Sequence, residues 1–153
     1  MKDLIRAHAG LLVAGVATFV MMGAGQSLYG PALPAFSRIF GVSLAEAGTL
    51  VSAHWVGCFL GVGLMYLRGG GITPRHALAA MAVGAAGVAA LAGWWATIAA
   101  AVVFGAGYGL STAVFNPRVL RTFGTYGPSL LSMLNASFGI GAIAAPLIFV
   151  ALG

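Results

Sequence analysis

His54 lies well inside a long apolar run, with Trp55 beside it and Cys58 four residues on. An unperturbed imidazole titrates near ~6.5, so His54 could carry a coupling proton. The alternative is a neutral histidine bonded to a neighbouring helix. Trp55 could stack on a solute or simply pack. Gln26, Tyr108 and Asn135 also fall within apolar runs. They could hydrogen-bond a ligand, or tie helices together at about 0.6 kcal/mol per bond. These five residues are the candidate pathway residues. His8 and His76 lie near charged ends and read as interfacial.

The residue pattern argues against enzyme chemistry. The two acids, Asp3 and Glu46, sit at the ends of apolar runs, so no paired intramembrane carboxylate exists. The glycine runs lack the Lys-Ser/Thr of a phosphate loop. No histidine pair has metal-ligand spacing, and a single cysteine excludes both an intramolecular disulfide and a cysteine cluster. Neither a metal nor a cofactor is expected.

The elements that must position these groups are membrane helices. The chain is 61% hydrophobic and 6% charged, with a mean hydropathy of +1.04. A soluble domain carries about 25% charged residues. The net charge of +5 does not indicate nucleic acid, because the basic residues flank apolar spans and form no basic face. They read as topology signals and as contacts for anionic lipid heads. The basic head and first apolar stretch resemble a signal peptide, but the uncharged run extends from Ala9 to Ser37. That exceeds a signal core of about 7–15 residues, so it reads as a retained span.

A bilayer crossing needs about 20 apolar residues. The uncharged stretches are Ala9–Ser37, Ala47–Leu67, Ala77–Pro117 and Thr122–Gly153. The third is long enough for two crossings and divides at Gly93-Trp94-Trp95, since tryptophans prefer the interface. The reading is an all-α, multi-pass bundle forming one transmembrane domain over 1–153. Its five spans are about 9–30, 44–67, 75–94, 96–116 and 128–151. Lys2, Arg6, Arg68, Arg75, Arg118 and Arg121 fall in alternate gaps, and only Arg38 falls in an opposite one. Cytoplasmic loops attract Lys and Arg, so the N-terminus is predicted inside and the C-terminus outside. The expected location is the cell (inner or plasma) membrane.

Local signals set the boundaries. Ser43-Leu44-Ala45-Glu46 fits a capping box, which explains the glutamate without catalysis. Thr73-Pro74 and Pro128 start spans, where proline's missing N–H is harmless. Pro31 and Pro34 are expected to end or kink the first span. Pro146 lies inside the fifth, tolerable if neighbours satisfy the freed carbonyl. Gly57/Gly61, Gly105/Gly109 and Ser137/Gly141/Ala145 form small-xxx-small patterns that allow close helix packing.

An internal repeat is also visible. Gly23-Ala24-Gly25-Gln26-Ser27-Leu28 matches Gly105-Ala106-Gly107-Tyr108-Gly109-Leu110 at four of six positions, 82 residues on. At that offset Gly57 meets Gly139. The matched spans would run in opposite directions, as in an inverted-topology repeat.

Polar groups are costly in a bilayer, so their distribution is informative. The third span, Ala77 to Gly93, has none. The first holds Thr18, Gln26 and Ser27. The second holds Thr49, Ser52 and His54. The fourth holds Thr97, Tyr108, Ser111, Thr112 and Asn116, and the fifth Ser129, Ser132, Asn135 and Ser137. Spans one, two, four and five are expected to line a polar pathway, with span three against lipid.

Three stretches resemble the N-terminal half of a major facilitator superfamily transporter, and together they cover nearly all of the chain. Gly30-Pro31-Ala32-Leu33-Pro34 through Phe40-Gly41-Val42-Ser43 to Ala47-Gly48 is similar to the exit of the family's first helix and the start of its second. After span two, Gly63, Arg68 and Gly70 match the family's loop motif, with Leu67 replacing the acid and Gly71 the second arginine. Phe138 to Pro146 resembles the glycine-proline signature of helix five, carried by Gly139, Gly141 and Pro146. Ala145 stands where the family has glycine, which argues against an antiporter. Asn116 and the segment Asn135 to Pro146 resemble the sugar-permease-like branch.

The resemblance implies a secondary transporter that moves a small solute by alternating access, with helices one, two, four and five facing a central cavity. The family has twelve helices, so five spans would need a second membrane chain, a homo-oligomer or further helices. The rival expectation is a non-transporting assembly subunit or a truncated remnant. Partners implied are the lipid bilayer, a small-molecule solute and a coupling proton. With no intramembrane acid or arginine, the solute is expected to be neutral, either hydroxyl-rich or apolar.

Overall fold

The computed structural model describes residues 2–68 and 71–152. Those residues are helical apart from short connections, with no strand among them. The helices are α1 (Lys2–Ala7), α2 (Ala9–Phe40), α3 (Leu44–Ala47), α4 (Thr49–Arg68), α5 (Pro74–Ala89), α6 (Trp94–Phe123) and α7 (Gly127–Leu152), with a 3₁₀ turn at Gly124–Tyr126 before α7.

Three stretches are long and apolar enough to cross a membrane: Ala9–Phe40, Leu44–Arg68 and Trp94–Leu152, the last comprising α6, the 3₁₀ turn and α7. The third expected span is shorter than its sequence reading. Helix α5 holds 16 residues, about 24 Å of rise against a hydrocarbon core of about 30 Å. It ends before the turn containing Leu91 (φ 50°) and Gly93 (φ 122°). The Trp94-Trp95 pair opens α6, so the division expected there is present.

Prolines mislead as stop signals. Helix α2 runs through Pro31 and Pro34 to Phe40, instead of ending near residue 30. The helix stops at Gly41, whose φ of +64° suits a residue without a side chain. Helix α6 likewise passes through Pro117 to Phe123, so the expected gap 117–127 contracts to the 3₁₀ turn. Pro146 lies inside α7 as expected.

The capping signals hold. The Ser43 N–H donates to the Glu46 carboxylate at 2.8 Å, and the Glu46 N–H donates to Ser43 Oγ at 3.2 Å. At the start of α5 the Thr73 N–H donates to His76 Nδ1 at 3.1 Å, with Pro74 at the first helical position.

The chain forms two compact units, one of residues 1–28 and 115–153, the other of residues 29–114. In the first, α2 and α7 approach at backbone distance. A Cβ on Gly23 would strike the Phe138 carbonyl and the Ala142 nitrogen, and one on Gly141 would strike the Val20 carbonyl and the Ala24 nitrogen. In the second, α4 and α6 do the same. A Cβ on Gly105 would strike the His54 carbonyl and the Cys58 nitrogen. Those on Gly57, Gly61 and Gly109 would strike the carbonyls of Val102, Ala106 and Cys58. Helix α5 docks on α6 through Gly84 against Phe104 and Gly107 against Met81. The small-xxx-small pairs are therefore packing seams, as apolar surroundings require.

The repeat shows in these seams with a corrected register. Val20, Gly23 and Ala24 correspond to Val102, Gly105 and Ala106, 82 positions on. On the facing helices the correspondence is 84 positions: His54 to Phe138, Gly57 to Gly141 and Cys58 to Ala142. Gly139, the expected counterpart of Gly57, has open space about it.

Candidate functional site

The second unit surrounds His54 with aromatic rings. The α4–α6 glycine seam brings the two backbones together, so side chains flanking the seam on both helices meet. From α6 come Phe104 and Tyr108, one turn apart on a single face. From α2 comes Tyr29, and Trp55 is the next residue on α4. Ring centroids lie 5.2 Å from His54 for Phe104, 5.3 Å for Tyr108, 5.4 Å for Tyr29 and 5.5 Å for Trp55. Trp55 and Tyr108 also meet edge to face at 6.0 Å. All four rings fall within the ~6 Å over which an aromatic face attracts a cation.

The burial is one-sided. His54 is 0% exposed and Tyr29 7% exposed, whereas Trp55 is 45% exposed. Tyr29 also joins an apolar cluster with Leu50 and Ala101, packed by Phe36, Trp94 and Ile98. The imidazole is thus sealed on its inner side, while Trp55 reaches the surface.

Two buried side chains in this cluster are unsatisfied. Neither ring nitrogen of His54, nor the hydroxyl of Tyr29, has a hydrogen-bond partner among the described residues. A neutral imidazole has one donor and one acceptor, and a phenol offers both. A buried polar group without a partner costs about 1–3 kcal/mol. Such groups call for a functional explanation or a bound polar molecule.

Elsewhere most polar side chains bond within their own helix. Thr18 donates to the Ala14 carbonyl, Ser27 to Ala24, Thr97 to Gly93, Thr112 to Gly109, Ser132 to Pro128 and Ser137 to Leu134. Each bond stays within one turn of the same helix or its cap, so these hydroxyls make no bond across to a partner helix. Ser111 is the exception, donating to the Met81 sulfur of α5 at 3.3 Å.

Of the five pathway candidates, His54, Trp55 and Tyr108 come together. Gln26 and Asn135 belong to the first unit. Asn135 is exposed and donates to the Leu131 carbonyl of its own helix at 2.9 Å. Asn116, also in the first unit, has a buried side-chain oxygen without a hydrogen-bond partner. Among the helix-five motif residues, Gly141 forms the close approach described above. In the loop motif, Gly63 has open space, Arg68 is exposed, and Gly70 lies outside the described residues.

Sequence reasoning missed Tyr29 and Phe104. Phe104 had a usable signal, its four-residue spacing from Tyr108 on one helix. Tyr29 had none, because it sat at the supposed end of a span. No group of three or more histidine, cysteine or acidic side chains able to hold a metal occurs among the described residues. Comparisons with protein-family models, curated proteins and solved structures find no match to this chain.

Proposed function

We propose that the chain is a secondary-transporter-like membrane protein that moves a small, neutral polar solute by alternating access, with His54 carrying the coupling proton. The observation that carries this reading is the fully buried imidazole with both nitrogens unpartnered inside four aromatic rings. Packing alone would be served better by an apolar side chain of similar size. Aromatic faces and a phenol hydroxyl suit the C–H faces and hydroxyls of a sugar-like or polyol solute. The proposed roles are proton carrier for His54, stacking platforms for Trp55 and Tyr108, and hydroxyl partner for Tyr29. The proposed order of crossings is five, with the N-terminus inside and Gly153 outside the cell membrane, on the distribution of basic residues. The proposed kinship is with the major facilitator superfamily, on the three stretches quoted above.

The test is uptake of a panel of labelled neutral sugars and polyols into proteoliposomes, with and without His54→Ala. Uptake that responds to an imposed proton gradient and is lost in His54→Ala supports the reading. No uptake of any solute, by the chain alone or with a co-expressed membrane partner, ends it. Topology is checked separately with reporters at Gly153 and in the turn before α5. Activity outside at Gly153 and inside at the turn is expected.

A second reading, a non-transporting assembly subunit, draws on the glycine seams, which need no solute to explain them. It predicts no uptake together with a stable complex in detergent.

A further inference from the structure

A second feature of the 29–114 unit lies at the other end of α4, away from the aromatic rings. Helix α4 ends at Arg68, and α5 begins at Pro74. Between them lies a cavity of about 400 Å³ lined by Leu64, Arg68, Gly71, Ile72, His76 and Leu110. Its lining is of two kinds. Leu64, Ile72 and Leu110 are aliphatic, while Arg68 and His76 supply nitrogen donors.

The donors are arranged and uncommitted. His76 Nδ1 accepts the Thr73 N–H at 3.1 Å, so in the neutral ring the proton sits on Nε2. That leaves Nε2–H as a donor. The guanidinium of Arg68 offers a planar fork that matches phosphate oxygens two at a time. The chain has two acids, and one of them, Glu46, is engaged by Ser43. No described residue pairs with Arg68. Arg75, exposed beside His76, adds positive charge to the same end of α5.

We infer that this cavity binds the phosphate headgroup of an anionic phospholipid, with Arg68 and His76 as phosphate donors and Leu64, Ile72 and Leu110 against the glycerol and upper acyl carbons. The inference rests on the membrane reading, not on transport or solute. A free phosphate would share the donors but make no use of the aliphatic half. The position fits, because α4 belongs to a span-length apolar stretch and Arg68 closes it, where headgroups begin. Each basic side chain at such a surface favours an anionic lipid by about fivefold.

The test is native mass spectrometry of the full-length chain released from detergent with equal phosphatidylglycerol and phosphatidylcholine of matched acyl chains. Expected is preferential retention of phosphatidylglycerol, weakened about fivefold by Arg68→Gln and further by adding His76→Gln. Arg38→Gln should leave retention unchanged, which separates a site from general positive charge. Equal retention of the two lipids would overturn the proposal. So would wild-type retention of phosphatidylglycerol by the double variant. Displacement of phosphatidylglycerol by equimolar glycerol 3-phosphate would overturn the lipid assignment in favour of a free phosphate. Both residues are exposed, so the variants should fold, and circular dichroism of equal helicity confirms it. None of these outcomes depends on uptake.

Discussion

The two glycine seams are built alike and carry different side chains. In each, a glycine on one helix faces two backbone groups four residues apart on the other: Gly23 against Phe138 and Ala142, Gly105 against His54 and Cys58. The frame is the same, so the contrast in contents is informative. Where the second unit has His54, Trp55, Phe104 and Tyr108, the corresponding positions of the first hold Phe138, Gly139, Met22 and Gln26. The first unit shows that this seam forms without an imidazole and without a ring cage. His54 is therefore not required by the packing it sits in, and the orphaned nitrogens are a cost the frame itself does not demand.

The largest effects should come from the frame. Gly105→Ala and Gly23→Ala each place a methyl against backbone that cannot rotate away. Each is expected to cost about 3 kcal/mol, read as the shift in an unfolding equilibrium in mixed micelles. Similar losses would confirm that the seams are equivalent, and a loss in only one would break the comparison.

Next come the contents. His54→Leu removes the unpartnered nitrogens and should leave stability unchanged or raise it by about 1–3 kcal/mol. The reverse exchange, Phe138→His, should lower stability by a similar amount in the same assay, because it creates in the first unit the cost the second already bears. A destabilised His54→Leu would mean that the imidazole is a packing element.

Smaller changes sharpen the boundary between the units. Ser43→Ala removes the cap of α3 and should cost about 1 kcal/mol. Hydrogen exchange should speed up over residues 44–50 and not over α7. Ser137→Ala removes a bond that Ser137 makes to its own helix at Leu134, and should change stability by about 0.6 kcal/mol or less.

Much of this was legible because it is local. The capping box spans four residues, the Trp pair marks the break between α5 and α6, and the small-xxx-small spacing lies within one helix. What failed was not local. A proline signals a stop only if its surroundings cannot absorb the missing bond, and α2 continues past both Pro31 and Pro34. At Pro117 the stop is delayed to Gly124, whose φ of +51° suits glycine. The repeat was half visible for a related reason. One offset was read from a glycine string, but the facing helices correspond two residues further on, and only the seams reveal that. The candidate site divides in the same way. His54, Trp55 and Tyr108 were found by type, and the structure joins them. Tyr29 was hidden because its partner is distant in sequence. Gln26 and Asn135 shared the polarity of the site residues but not their unit.

The central proposal is that His54 serves movement of a proton and solute, not the fold. It is tested most directly by measuring unfolding and proton-gradient-driven uptake on the same preparation of His54→Leu. The prediction is stability at or above that of the unaltered chain with uptake abolished. Uptake at the unaltered rate in a stably folded His54→Leu protein would contradict it.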